Sequence, residues 1–330
     1  MKTIGYKKTT YKTFIFLWLL FLLNCQSHIT TQEPTSTIDI QSVSDTLTLF
    51  GQGIISTSLY ERDLAINPQG DEIIYTLGDY KQTKRCLVLL KKENGKWLEP
   101  KMMSISGKHQ DIEPFYTNNG NTLYFASNRP IYNDSTRHDY NIWYSDKIEG
   151  LWSEPEALDS IINTRGDEFF PSLSDKGNLF FTATREDGVG REDIFMSEYE
   201  AGNFKAPKPL PLEINSGAYE FNAYISPKED LIIFSSYGRD DDLGGGDLYM
   251  SRKNEGGIWS PSENMGELIN SNKLDYCPFI DWENGNFYFT SERMEINNED
   301  LKNVKAIKEL SHSTLNGFGN IYKIGLDKID

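Results

Sequence analysis

Positive charge is scarce in this sequence: 33 lysines and arginines face 49 aspartates and glutamates, for a net charge of −16. The first 24 residues hold four lysines and no acid, which leaves 29 bases against 49 acids beyond them, a net charge of −20. No Lys/Arg-rich stretch lies outside that leading segment, so a phosphate backbone meets a repelling surface and nucleic-acid binding is excluded as a function class. Histidine is equally sparse. His28, His109, His138 and His312 show no metal-ligand spacing such as His-Glu-x-x-His, and there is no Gly-x-Ser-x-Gly elbow, so metal hydrolysis and serine-nucleophile chemistry lack their signatures. Cysteine is limited to Cys25, Cys86 and Cys277. Long helical periodicity is missing from the body of the chain.

The leading segment has a basic start and then the apolar run from Phe14 to Leu23, ten residues long. Spanning about 30 Å of hydrocarbon needs roughly 20 residues, so this is a secretory core and not a membrane helix. Leu22-Leu23-Asn24-Cys25 resembles the bacterial lipoprotein box, in which a diacylglycerol is attached to the cysteine thiol before cleavage on its amino side. The resemblance implies a signal peptide over residues 1–24 and lipidation of Cys25; the alternative is a plain signal peptide with an incidental cysteine. Residues 25–44, rich in serine, threonine and glutamine, are expected to form a flexible tether. Gln26 after the cysteine suggests the outer membrane by analogy with lipoprotein sorting. The periplasmic side is the expected orientation, with the cell surface as the alternative.

From residue 45 onward the chain repeats itself. Five isoleucines are each followed six residues later by a carboxylate: Ile55 and Glu61, Ile105 and Asp111, Ile162 and Glu168, Ile214 and Glu220, Ile269 and Asp275. Ile162-Asn-Thr, Ile214-Asn-Ser and Ile269-Asn-Ser match residue by residue, and Pro114, Pro171 and Pro278 each stand three after their acid. Gly95-Lys-Trp97, Gly150-Leu-Trp152, Gly202-Asn-Phe204 and Gly257-Ile-Trp259 recur in step. Within a unit, runs of about five to seven β-branched and aromatic residues alternate with Gly/Asp/Asn turns, which predicts four antiparallel strands. Such units, about 50 residues long and set around a ring, make an all-β, five-bladed β-propeller over residues 45–330. The last unit has no outer strand of its own. Residues 46–57 are expected to supply it and close the ring, which removes exposed sheet edges.

Units carrying Pro-x-x-Ser-x-x-Gly, then a strand ending in an arginine (Arg129, Arg185, Arg293), then Asp-Ile or Asp-Leu and an aromatic, resemble the TolB-type, WD-like propeller repeat. Arg185 with Asp193-Ile-Phe and Arg239 with Asp247-Leu-Tyr show it most fully. Unit one has Leu64 in place of proline and no matching arginine, and unit four has Ala223 and Glu229 in place of proline and glycine. The resemblance implies a cell-envelope protein, some relatives standing beside peptidoglycan-binding or secretion modules. Propellers host many activities, so fold alone does not assign one.

Several features invite a chemical reading. Glu61, Asp111, Glu168, Glu220 and Asp275 begin the innermost strands and are expected around the axial channel, as a cation ring, as an acid/base pair, or as structural partners of Arg129, Arg185, Arg239 and Arg293. The last is preferred, because a residue present in every blade is explained by what every blade needs. Asp240 to Asp247 superficially suggests a calcium loop but lacks the ligand spacing of an EF-hand; the stretch reads as a hairpin loop with calcium binding as the alternative, and no other metal or cofactor is expected. Trp97, Trp152, Phe204 and Trp259 are expected on outer strands, packing between blades. Cys86 and Cys277 fall in different blades and are expected to be free, buried thiols. An insertion from Met294 to Asn316 places Leu301, Val304, Ile307 and Leu310 three residues apart, which predicts a short amphipathic helix and a candidate interaction surface. A second irregular loop runs from Pro130 to Asp139.

These readings lead to a non-enzymatic, lipid-anchored and monomeric propeller that binds an envelope protein or a peptidoglycan-associated complex. The alternative is a glycan-binding or glycoside-hydrolase-like propeller, which needs two or three acids in non-repeated roles at the channel mouth.

Overall fold

The computed structural model describes residues 1–2, 38–294 and 303–329. Three full strands run outward from the axis in every blade. They are Tyr60–Ile66, Glu72–Gly78 and Arg85–Glu93 in blade 1, and Asp111–Tyr116, Thr122–Ser127 and Asn141–Ile148 in blade 2. Blade 3 has Glu168–Leu173, Leu179–Ala183 and Asp193–Ser197; blade 4 has Tyr219–Ile225, Leu231–Tyr237 and Asp247–Arg252; blade 5 has Asp275–Asp281, Asn286–Ser291 and Asn320–Gly325. Short outer strands Lys101–Met102, Glu156–Ala157, Lys208–Pro209 and Glu263–Asn264 complete the first four. In blade 5 the outer strand is Thr48–Leu49, paired antiparallel with Asn320–Gly325 through Thr48↔Lys323 and Leu49↔Tyr322. The amino-terminal strand therefore closes a five-bladed propeller.

Each inner strand carries the same irregularity. Its ladder breaks between the residue after the acid and the residue four after it, at Arg62/Ala65, Ile112/Phe115, Phe169/Ser172, Phe221/Tyr224 and Tyr276/Phe279. The residue two past each acid has a positive φ: Asp63 at 60°, Glu113 at 59°, Phe170 at 49°, Asn222 at 50° and Cys277 at 54°. A bulge leaves the next position outside the ladder, which is why proline, with no N–H to donate, stands there as Pro114, Pro171 and Pro278. In the turn that follows, Gly70, Gly120, Gly177 and Gly285 take positive φ, and blade 4 puts Glu229 there instead, at 61°. The strain of a side chain in that region is offset by Glu229 accepting from the Ser174 hydroxyl and the Asn178 amide of blade 3, both at 2.7 Å.

Apolar side chains fill the seams between neighbouring blades. Ile55, Ile162 and Ile214 have no exposed surface and Ile269 is 1% exposed; each packs into the seam that its connection crosses. Burying one such side chain contributes roughly 1.5–3 kcal/mol. Trp152, Phe204 and Trp259 pack into seam clusters as well, and Trp97 joins the cluster between blades 5 and 1. Their place differs from expectation: Lys96–Trp97 and Leu151–Trp152 are hairpin returns on the third strand, and the outer strand follows later.

Residues 38–44, expected within the tether, pack on the propeller. Ile38 and Ile40 are buried against the seam of blades 5 and 1, the Asn286 side-chain amide donates to the Ile40 carbonyl at 2.9 Å, and Lys323 Nζ donates to the Asp39 carbonyl at 2.7 Å. Two isoleucines in an otherwise polar stretch suffice to dock it, so residues 38–44 belong to the propeller body. Cys25 lies outside the described residues. No helix among the described residues is long and apolar enough to cross a membrane.

Candidate functional site

The repeated residues form a staple at the entry to each blade. In the connection Ile162-Asn163-Thr164, the Asn163 side chain accepts from the Ile142 N–H at 2.8 Å and donates to the Ile142 and Leu158 carbonyls of the preceding blade. Asn215 does the same to Ile194 and Leu210. Thr164, Ser216 and Ser271 then direct both N–H and hydroxyl at the carboxylate of the following inner strand, Glu168, Glu220 and Asp275. In blade 2 Ser106 replaces the asparagine, its hydroxyl accepting from Leu87 N–H and donating to Asp111.

The repeat arginines finish this arrangement. Arg129, Arg185, Arg239 and Arg293 bond Asp111, Glu168, Glu220 and Asp275 at 2.5, 3.5, 2.8 and 2.7 Å. Each also donates to the carbonyl of its repeat isoleucine, Ile105, Ile162, Ile214 or Ile269. The guanidiniums lie 4.6–5.3 Å from aromatic rings of the second and third strands of their own blade. All five carboxylates are completely buried. Every partner belongs to the acid's own blade or to the connection leading into it, so they are spent at the blade entries and do not form the expected ring around an open channel.

Blade 1 is the exception. Among the described residues no arginine reaches Glu61, which accepts from the Thr57 N–H at 2.9 Å and hydroxyl at 2.5 Å. Burial pushes its carboxyl up to about 7, against the opposing effect of those two bonds.

What occupies the axis is the residue at each bulge, and its type differs in every blade: Asp63, Glu113, Phe170, Asn222 and Cys277. Glu113 Oε1 accepts from Arg62 Nη2 at 2.9 Å and from the Asn222 amide at 3.2 Å, while Oε2 accepts from the Phe170 N–H at 2.8 Å. Blades 2 and 4 are not neighbours in a ring of five, so the bond between Glu113 and Asn222 crosses the axis. Arg62 also donates to Asp63 at 2.7 Å, stands 3.5 Å from the Cys277 sulfur, and lies 4.9 Å from the Tyr276 ring centre. Burial drives Glu113 up to about 7 against the pull of Arg62, and drives the Cys277 thiol well above its usual range. Asp63, Glu113, Asn222 and Cys277 are at most 4% exposed, so this plug closes the channel. A buried, protonated thiol is a poor nucleophile. Cys86, half-buried on the third strand of blade 1, is also free. The sequence did contain a signal for the plug: it is the repeat column whose residue type changes from blade to blade, just before the column that holds proline in three of the five units.

Beyond the plug, where the inner strands end, a cavity of about 590 Å³ opens, a size suited to a small ligand or a side chain. Its aromatic lining includes Phe115, Tyr224 and Phe279, from three inner strands at the position four after the acid, with Tyr116 beside Phe115 and Trp282 in the turn that follows blade 5's inner strand. Blades 1 and 3 carry Ala65 and Ser172 at that position, neither of them aromatic. Amides of Asn67, Gln69, Asn118 and Asn284 stand around it with Asp71, Asp281, Glu283 and Lys92, and the docked segment contributes Ile40 and Gln41. A second hollow, of about 600 Å³, lies where blade 1 meets blade 2, beside Cys86, His109 and His138.

The insertion in blade 5 rises from a bridge between Met294 and Asn316. Its helix is Val304–Ser311, capped by the Asn303 side chain accepting from the Ala306 N–H, and it contains no buried residue. Val304 and Ile307 are exposed, Leu310 is half-buried, and Leu301 lies outside the described residues. The Pro130 to Asp139 loop is tied down by buried Ile131 and by Arg137, which bonds Asp139, Asn141 and the Thr164 carbonyl. In the stretch from Asp240, the carboxylates of Asp242 and Asp247 accept from Gly238 N–H and Leu243 N–H, the bonding of a hairpin loop joining two strands. Among the described residues no group of three or more His, Cys, Asp or Glu is placed to hold a metal ion.

No family model matches the sequence, and no curated protein matches it. Solved structures similar in fold include TolB from Acinetobacter baumannii, at 12% identity and a TM-score of 0.43 over 79% of this chain and 53% of that one. A protein of unknown function from Dyadobacter fermentans aligns at 12% identity and a TM-score of 0.46, over 75% and 78% of the two chains. The catalytic domain of a Coprinopsis cinerea GH62 α-L-arabinofuranosidase aligns at 11% identity and a TM-score of 0.45, over 86% and 96%. The chain thus spans about half the length of the TolB it matches.

Proposed function

We propose that this chain is a non-enzymatic envelope lipoprotein, held at the outer membrane through a diacylglycerol on Cys25, whose propeller binds a protein or peptidoglycan-associated partner. One observation carries the reading: four of the five repeated carboxylates are consumed by complete staples and the fifth, Glu61, is fully buried against Thr57, while the asymmetry of the ring is concentrated on its axis, where a plug closes the channel and a cavity opens beyond it. A symmetric scaffold that breaks its symmetry around one cavity is suited to binding at that face. The leader supports the anchor, since one acyl chain binds a membrane only marginally whereas two or more hold it stably, and the strongly acidic body would otherwise be repelled by anionic lipid.

The glycan-cleaving reading has one observation in its favour, because Asp63 and Glu113 are acids on the axis in a repeat column where the other blades place Phe170, Asn222 and Cys277. Both are buried and tied to Arg62, whereas acid/base catalysis at a glycosidic bond needs carboxyl groups that reach the substrate. The deciding experiment is crosslinking in intact cells with a tagged chain that retains Cys25, beside a Cys25→Ser variant. Stoichiometric recovery of an envelope component, lost on deleting residues 294–316 or on changing the cavity, supports binding. Recovery of lipid alone, together with turnover of a glycan that Glu113→Gln abolishes in a folded protein, overturns it.

A further inference from the structure

Resting on the binding role proposed above, we infer that the axial cavity is a receptor for an organic cation, an alkylammonium or guanidinium group of the kind a basic side chain presents. The aromatic surfaces are the first reason. Trp282 donates its Nε1–H to the Tyr224 hydroxyl at 2.8 Å, which fixes the edge of the indole, while the residue remains 45% exposed. Phe279 meets Tyr224 edge-on at 5.9 Å, and Phe115 packs both against the cluster between blades 4 and 5 and against that between blades 2 and 3, which places it on the axis. An indole pinned by its edge beside three more rings offers π-faces without paying the entropy of ordering them on binding, and such faces attract cations most strongly where water is partly excluded.

Charge selects the ligand. Asp71, Asp281 and Glu283 line the cavity against one cation, Lys92, whose ammonium lies over the Trp97 ring at 5.6 Å. Hydrogen bonds from Asn67 to Asp71 and from Asn284 to Asp281 hold two of these carboxylates in place; Asp281 also interacts with the buried Lys323 ammonium, so selection for a cation rests on Asp71 and Glu283. The long-range field of a chain with net charge −16 has the same sign and steers cations toward the mouth. A neutral sugar would gain from the rings and amides but nothing from the acids, and an anionic ligand would be repelled.

The test uses the folded full-length chain in detergent. Isothermal titration and Trp fluorescence compare N-acetyl-lysine amide and tetramethylammonium with the uncharged N-acetyl-norleucine amide, and with a neutral oligosaccharide, maltotriose. A tetralysine peptide distinguishes a side chain presented by a protein from a free small cation, by binding at least tenfold more tightly than the single lysine. Both cations are expected to bind in the millimolar range or better and the norleucine amide at least tenfold more weakly. Trp282→Leu should weaken lysine-amide binding about tenfold, and the Asp71→Asn/Glu283→Gln pair several-fold with a shallower salt dependence. Tyr237→Ser, at an exposed aromatic outside this cavity, should change nothing. Unchanged circular dichroism and melting confirm that the variants fold. No binding of either cation at 50 mM, equal binding of the norleucine amide, or preferential binding of maltotriose overturns the inference. Persistence of the envelope crosslink in Trp282→Leu would reject this cavity while leaving the binding role intact.

Discussion

Glu61→Gln is expected to stabilise this protein, and by an amount that grows with pH. Among the described residues Glu61 is the one repeated carboxylate with no arginine and with hydrogen bonds to its carboxylate from Thr57 alone, and it has no exposed surface. Its carboxyl is raised from 4.5 to about 7, with burial the dominant cause. A carboxyl with a higher pKa in the folded state binds more protons folded than unfolded between these values, so its contribution to stability falls as pH rises from about 4.5 to 7 and is flat above. Each unit corresponds to 1.36 kcal/mol, so forcing the charge into its buried site costs about 3 kcal/mol by pH 8, and less than about 1 kcal/mol at pH 5. Glutamine keeps the shape and one acceptor, and the Thr57 hydroxyl can reverse to accept from the new amide. Equilibrium urea unfolding of wild type and variant at pH 5, 6, 7 and 8 isolates the difference, because other raised carboxyls such as Glu168 and Glu292 titrate in both proteins. The expected result is near-equality at pH 5 and a variant more stable by a few kcal/mol at pH 8. A variant destabilised equally at both pH values would refute the reasoning, since it would mean that the carboxylate is ionised and well partnered throughout.

The opposite experiment, Arg239→Met, strands Glu220 as a buried carboxylate without its cation; a loss of about 3–5 kcal/mol in urea unfolding is expected, with partial recovery in the Arg239→Met/Glu220→Gln double variant. Thiol labelling of the native protein should modify half-buried Cys86 well before buried Cys277, which becomes reactive only on unfolding, as mass spectrometry of labelled peptides would read. Replacing residues 295–311 by a short Gly/Ser linker should shift the urea midpoint by no more than about 1 kcal/mol equivalent, since no helix residue is buried; a larger loss would show that the insertion packs as part of the fold.

The sequence by itself determined the number of blades, the strand that closes the ring and the columns that hold it together, because those features recur and each recurrence reports a local need. The isoleucine fills a seam, the following asparagine satisfies a neighbouring strand, and the acid and arginine complete the entry to the next blade. It also marked the bulges, since proline falls where the ladder has no use for an N–H. Tertiary structure alone decided where the repeated acids point. Beginning an inner strand suggests the channel, but a side chain at that position turns to the connection and arginine of its own blade, and the bulge two residues later delivers a different side chain to the axis. The plug is built from residues 62, 63, 113, 170, 222 and 277, and the bond between Glu113 and Asn222 joins positions 109 apart that no local pattern connects. The cavity depends likewise on Phe115, Tyr224 and Phe279 meeting across the ring. Repetition is legible because it is local and redundant, whereas the site arises where the five copies differ and converge, and convergence is a property of the closed ring.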